Sequence, residues 1–165
     1  MKLHQIFKAA IHEPKKLAAF RLLPIGKTFQ YVFIFIMAFT LISFIRYILS
    51  GNSLFENSPD LDEYGKSLGG LLYPIALFLQ LVISTLYIFV RISIFAYAGT
   101  LLAKFFKRRG DFRFIWRTSA IACTVPLLLT MLFDYFSVSD SYSLITTSVV
   151  HLAYLGAALR HYPKI

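Results

Sequence analysis

Four long apolar stretches separated by short polar ones dominate the chain. The first, FQYVFIFIMAFTLISFIRYIL, covers residues 29–49. At about 1.5 Å per residue it makes a helix of roughly 31 Å, long enough to cross the hydrocarbon core of a bilayer. Its apolar core is longer than that of a cleaved signal peptide and no A-x-A-like site follows, so a retained helix is expected. The second stretch runs over 71–103 and is interrupted by Arg91. One helix of that length would measure about 50 Å, well over the hydrocarbon thickness. The pattern therefore predicts that ISIFAYAGTLLAKFF, after Arg91, bends or projects along the interface, with a steeply tilted continuous helix as the alternative. The third stretch, 114–133, contains Pro126, which predicts a kink. The fourth, 142–159, is the shortest and the richest in small residues.

Ahead of these lies MKLHQIFKAAIHEPKKLAAF. Helical spacing puts Leu3, Ile6, Phe7, Ala10 and Ile11 on one face, with His4, Gln5, Lys8 and His12 off it. Pro14 ends or kinks this helix. A basic polar face predicts a helix lying in the membrane interface; packing against the bundle is the alternative. The fold class expected is all-α, a polytopic membrane protein of four transmembrane helices plus an N-terminal amphipathic interfacial helix. Residues 1–28 form the amphipathic segment and 29–165 the transmembrane domain.

Composition agrees. With 58% hydrophobic and only 15% charged residues in 165, a soluble domain could not cover its surface. The net charge of +9 raises a different question, because KFFKRRGDFRFIWR at 104–117 interleaves cations with aromatics as a nucleic-acid groove would. Its place among the apolar runs decides against that. Lys2, Lys8, Lys15, Lys16, Arg21 and Lys27 precede the first run, Lys104, Lys107, Arg108, Arg109, Arg113 and Arg117 follow the second, and Arg160 and Lys164 close the chain. The alternate segments instead carry Glu56, Asp60, Asp62, Glu63, Asp134 and Asp140, with Lys66 as their one cation. This alternation predicts four crossings of the cell (inner, cytoplasmic) membrane with both termini cytoplasmic. Lys104, Lys107, Arg108, Arg109, Arg113 and Arg117 then form a cytoplasmic basic face suited to anionic lipid head groups, and nucleic acid is not an expected partner. The outer loop, 50–70, is too short for a folded domain and carries no evident chemistry.

Polar groups inside a bilayer are costly, so each one asks for a reason. Counted inward from Tyr142, His151 lies about 13 Å deep, near the midplane, and Gln80 counted from Leu71 reaches the same depth. Thr40, Cys123 and Thr124 fall at a similar level. These five are the candidate midplane polar layer. It serves either to pack the helices through hydrogen bonds or to form a small site in which His151 moves a proton or holds a polar ligand. At the outer ends, Arg46 and Asp134 are placed to form an ion pair, though Arg46 could instead snorkel to the interface. Ser119, Ala122, Cys123 and Pro126 in the third run and Ala153, Gly156 and Ala157 in the fourth predict close packing of those two helices. No catalytic motif is present, neither nucleophile elbow, zinc signature nor phosphate-binding loop. His4 and His12 lack metal-ligand spacing, Cys123 is the single cysteine, and no metal or cofactor is expected.

Three stretches carry a family resemblance: FRLLPIGKTFQYVF at 20–33, WRTSAIACTVP at 116–126 and YLGAALRHYPK at 154–164. In their order and spacing the chain resembles a group of bacterial inner-membrane proteins of Gram-positive species catalogued as a domain of unknown function, some labelled maltodextrin-utilisation proteins. The resemblance implies a four-helix membrane domain distantly similar to Yip-type proteins, and brings no catalytic residues. Typical members have a larger extracytoplasmic region where this chain has only 50–70. The expected function is that of a non-enzymatic scaffold, assembly factor or regulator with a membrane-protein partner or a second copy of itself. The alternative is a small transporter or channel subunit using the polar layer around His151.

Overall fold

Helices are the only regular elements among the residues that the computed structural model describes, 3–49, 59–136 and 139–164. They are α1 (Leu3–His12), α2 (Pro14–Ala19), a 3-10 turn at Phe20–Leu22, α3 (Ile25–Leu49), α4 (Pro59–Phe105), α5 (Phe112–Ala122), α6 (Thr124–Tyr135) and α7 (Asp140–Leu159). Four segments are long and apolar enough to span a membrane: Ile25–Arg46, Gly70–Phe105, Phe112–Tyr135 and Ser141–Leu159. Ile34, Ile42, Phe78, Ile83, Leu86 and Ile94 stand exposed along them. Apolar surface on this scale has no stable place in water. The chain is an all-α multi-pass membrane protein.

Helix α4 runs unbroken for 47 residues, through both Pro74 and Arg91. The bend expected after Arg91 is absent from its secondary structure, and the helix starts at Pro59 rather than Leu71. The reason lies in its last turns. Ile92, Ala96, Gly99 and Ala103, spaced by four, three and four residues, are all buried. They form a narrow face of mostly small side chains, and Ala96 and Ala103 belong to the core of the larger unit, so the segment is held by packing. Gly99 marks the closest approach: a Cβ there would sit 2.7 Å from Ile115 Cγ2 and 2.7 Å from Leu155 Cδ2.

The third span is two helices. The break falls at Cys123, between α5 and α6, while Pro126 sits inside α6. A proline removes the N–H owed to the carbonyl four residues earlier and crowds that carbonyl. For Pro126 that residue is Ala122, where α5 ends, so the break appears on the N-terminal side of the proline.

The chain divides into two compact units, one of Met1–Val32 with Phe89–Ile165 and one of Phe33–Ile88. In the smaller unit, Ile36, Thr40 and Phe44 form a buried stripe on α3 at intervals of four. Residues 50–58 of the outer loop lie outside the described residues. In the larger unit, Ala18, Ala96, Ala103, Ile115, Leu155, Leu159 and Tyr162 make one core, with Phe114 and Trp116 packed on it. The N-terminal segment belongs to that unit. Ile6, Ala9 and Ala10 of α1 are buried while His4, Gln5 and Lys8 are exposed, and α1 contacts both α5 and α6. Pro14 opens α2 as its first residue, with Glu13 at the N-cap.

Candidate functional site

The packed face of α7 reads Ser143, Thr147, His151, Leu155, Leu159, every fourth residue, all buried. Its N-terminal half is polar and its C-terminal half apolar. The third and fourth spans pack together as expected, and Ser119, Ala122, Cys123 and Pro126 are all buried, but on α7 Ala153 is exposed, Ala157 is half-buried and nothing lies within 4 Å of a Cβ added at Gly156. A four-residue stripe drifts slowly around a helix with 3.6 residues per turn, and this one passes Gly156 by.

A polar cluster forms where that stripe meets α4 and α5. Arg91 on α4 is 7% exposed and donates from Nη2 to Thr147 Oγ1 at 2.8 Å. Thr147 Oγ1 in turn donates to the Ser143 carbonyl at 2.8 Å. The Arg91 guanidinium carbon lies 5.7 Å from the centre of the Phe95 ring, and the same ring lies 4.3 Å from the imidazole of His151. His151 has no exposed surface, and its Nε2 sits 3.1 Å from Ser119 Oγ and 3.2 Å from the Ser119 carbonyl. The Ser119 hydroxyl reaches the Ile92 carbonyl at 3.2 Å. A hydroxyl has one hydrogen and a carbonyl has none to give. If Ser119 spends its hydrogen on Ile92, Nε2 must carry the hydrogen of the His151 pair. Nδ1 is then the bare nitrogen, and it is buried without a partner, as is Nε of Arg91.

Of the sequence candidates for the polar layer, Cys123, Thr124 and His151 belong to the larger unit. Thr124 Oγ1 is 2.7 Å from the Tyr31 hydroxyl, away from the His151 pairing, and Cys123 beside it is buried. Thr40 and Gln80 belong to the smaller unit, where Thr40 Oγ1 is buried without a hydrogen bond and Gln80 is half-buried. Arg46, in the last turn of α3, and Asp134, near the end of α6, are both exposed and belong to different units. Arg91, Ser119 and Thr147 were not candidates for the layer. The available signal was Arg91 itself, the one charge in an apolar run of 33 residues.

The second constellation is at the basic end. Lys104, Lys107, Arg109 and Arg113 are exposed there, and Arg108 and Arg117 half-buried. Lys107 closes α4 with φ 53, the left-handed region. Its N–H bonds the Lys104 carbonyl and the Arg108 N–H reaches back to Ala103, a Schellman cap. The chain leaving this cap is pinned to the C-terminal tail. Arg109 N–H donates to the Pro163 carbonyl at 2.9 Å, and Arg108 Nη1 donates to the Tyr162 carbonyl at 2.9 Å. The guanidinium of Arg21 lies 5.1 Å from the centre of the Tyr162 ring. Tyr162 is itself 1% exposed, its hydroxyl 2.6 Å from Thr118 Oγ1. Burial pushes this phenol above its usual range, against the opposing effects of the Thr118 hydrogen bond and the nearby Arg21. Around this anchor, Arg21, Arg108, Arg109, Asp111 and Phe114 line a pocket of about 620 Å³.

The family model described as a protein of unknown function (DUF1189) matches residues 57–159, more than half of the chain. The chain belongs to this family. No curated protein and no solved structure matches it significantly. The segment shared with DUF1189 holds α4 to α7 and with them the whole Arg91, Ser119, Thr147 and His151 cluster. The DUF1189 match leaves Arg21, Tyr162 and Pro163 of the basic pocket outside its bounds.

Proposed function

We propose that this chain is a non-enzymatic scaffold, assembly or regulatory factor of the cytoplasmic membrane, with both termini and the 104–117 loop inside the cell. The observation that carries the reading is the ordered basic end. Arginines from two distant segments converge on one pocket, and Tyr162 holds two of them. Each Lys or Arg near an anionic leaflet contributes about 1 kcal/mol of attraction, so this end is drawn to anionic head groups and presents a fixed surface to a membrane-protein partner. Photo-crosslinking from position 113 in cells, followed by purification in mild detergent, tests the idea. One reproducible protein neighbour, lost when Arg109 and Arg113 are neutralised, supports it. A topology reporter fused after Gly110 should be active inside the cell, and activity outside would sink the orientation.

A second reading, a transporter or channel subunit, draws on a separate observation. Arg91 is a buried cation held by a neutral hydroxyl, and His151 Nδ1 beside it lacks a partner. Ionisable groups inside membrane spans often mark pathways, and the candidate layer of Thr40, Gln80, Cys123, Thr124 and His151 would extend one. Crosslinking that yields only homo-oligomers, together with substrate flux in liposomes, selects this reading over the first.

A further inference from the structure

From the arginine pocket we infer a binding site for a phosphomonoester, the dianionic phosphate at the head of a lipid or of a soluble phosphate compound. The inference deepens the reading above, because it names the ligand of the basic end. Four features of the pocket converge on this chemistry.

The first is charge. Arg21, Arg108 and Arg109 face one carboxylate, Asp111, across the lining, and no ion pair among the described residues joins Asp111 to any of them. The wall therefore keeps an excess of two positive charges, the complement of a phosphomonoester near neutral pH. A phosphodiester head group would leave one of them uncompensated. The second is donor type. All three cations are guanidinium groups, whose planar forks match phosphate oxygens in pairs, whereas the lysines of this end (Lys104 and Lys107) lie outside the lining.

The third is order within the wall itself. Arg21 is stacked on Tyr162, Arg108 is bonded to the Tyr162 carbonyl, and the Arg109 backbone is bonded to Pro163. The Arg21 carbonyl also accepts from Arg117 Nη1 at 3.2 Å. Side chains fixed in advance lose less freedom on binding. The fourth is the surround. Asp111, the N-cap of α5, is part of the wall, and the first turn of that helix has no acidic residue, so the positive end of its dipole adds to the field. Leu22, Phe114 and Pro163 give the same pocket an apolar side. A head group with a short run of glycerol or acyl chain meets both requirements.

The test uses the full chain in nanodiscs of phosphatidylcholine carrying traces of fluorescent phosphatidate or phosphatidylglycerol, with titration of inorganic phosphate and sulfate in detergent as a second arm. Phosphatidate is expected to bind roughly tenfold or more tighter than phosphatidylglycerol, and Arg109→Gln to remove that preference. Arg109 is the variant of choice because its side chain is exposed, so substitution spares the fold; Arg108→Gln confirms, and Lys104→Gln should leave the preference intact. If phosphatidate is preferred and millimolar phosphate does not displace it, the ligand is a lipid. If inorganic phosphate binds better than sulfate, depends on Arg109 and displaces the lipid, the ligand is a soluble phosphate. Equal binding of phosphatidate and phosphatidylglycerol with no preference for phosphate over sulfate overturns the proposal, as does a preference indifferent to Arg109. Such a failure leaves the crosslinking and reporter tests of the basic end standing. A reporter active outside the cell would refute that reading without touching the binding result.

Discussion

Arg91 of α4 gives one of its guanidinium hydrogens to the Thr147 hydroxyl of α7 across 2.8 Å, 56 residues away in sequence. No carboxylate takes part. A charge placed in a membrane span with only a neutral acceptor gains little and keeps most of its desolvation cost, so its partner matters more than the charge itself.

Thr147→Val should therefore cost about 1.5–3 kcal/mol, the usual loss when a buried charged donor is stranded. Arg91→Met, which removes the charge and keeps the length, should cost less than about 1 kcal/mol, because the desolvation cost goes with the charge. In the Arg91→Met background, Thr147→Val should become nearly neutral. Thermal unfolding of the four proteins in one detergent closes the cycle. Additive losses would mean that the two side chains do not depend on each other.

The His151 contact makes a different prediction, because Ser119 meets its Nε2 with two atoms, Oγ and the backbone carbonyl. Ser119→Ala removes the first, together with the hydroxyl's bond to the Ile92 carbonyl, and should cost about 1–2 kcal/mol, the net worth of one to two hydrogen bonds. His151→Leu loses both, together with the ring contact to Phe95 at 4.3 Å, and should cost more. The decisive comparison is between unfolding temperature and protein abundance in cells on one side and any measured flux on the other. Loss of flux in Ser119→Ala at unchanged abundance would place His151 in a pathway; losses that track stability would leave it as packing.

The four spans are legible in the sequence because a bilayer imposes one rule, about 20 apolar residues per crossing. Where the reading missed, tertiary packing decided. Arg91 suggested a boundary, yet Ile92, Ala96, Gly99 and Ala103 carry the helix on, because what lies opposite them is a core that the sequence does not display. Small residues pointed to Ala153, Gly156 and Ala157 as the contact face of α7, but the buried stripe holds His151 and Leu155. Its spacing of four is present in the sequence, but its first three members are polar, so apolar periodicity does not mark it. Pro126 announced an interruption, which falls at Cys123 because of the missing N–H. The arginine pocket was half legible. The RRGD run stood out as charge, but nothing local tied it to Arg21 or to the buried ring of Tyr162.

Lys107 offers a test of the turn that presents that pocket. It holds φ 53, where a side chain other than glycine costs roughly 1–2 kcal/mol. Lys107→Gly keeps both backbone bonds of the cap and should raise stability by about 1 kcal/mol. A fall in melting temperature would show that the lysine side chain contributes more than its backbone strain costs.

Two glycines, finally, should respond to the same substitution in opposite directions. At Gly99 an added Cβ meets Ile115 Cγ2 and Leu155 Cδ2 at 2.7 Å each, closer than carbon atoms approach without displacement. Both neighbours are buried in the core, so neither can swing away freely. Gly99→Ala should destabilise by about 1–3 kcal/mol, the usual cost of overpacking, and Leu155→Val should recover part of that loss by withdrawing the Cδ2 contact. At Gly156, on the same α7 as Leu155, nothing lies within 4 Å of the new methyl group. There the change only trades a poor helix former for a good one, and Gly156→Ala should gain up to about 1 kcal/mol. The sign of the difference, read by thermal unfolding, decides between a helix contact through Gly99 and one through the Gly156 face. Were Gly156→Ala the damaging substitution, the packed face of α7 would be the small-residue side, and the polar stripe through Thr147 and His151 would lose its place in the core.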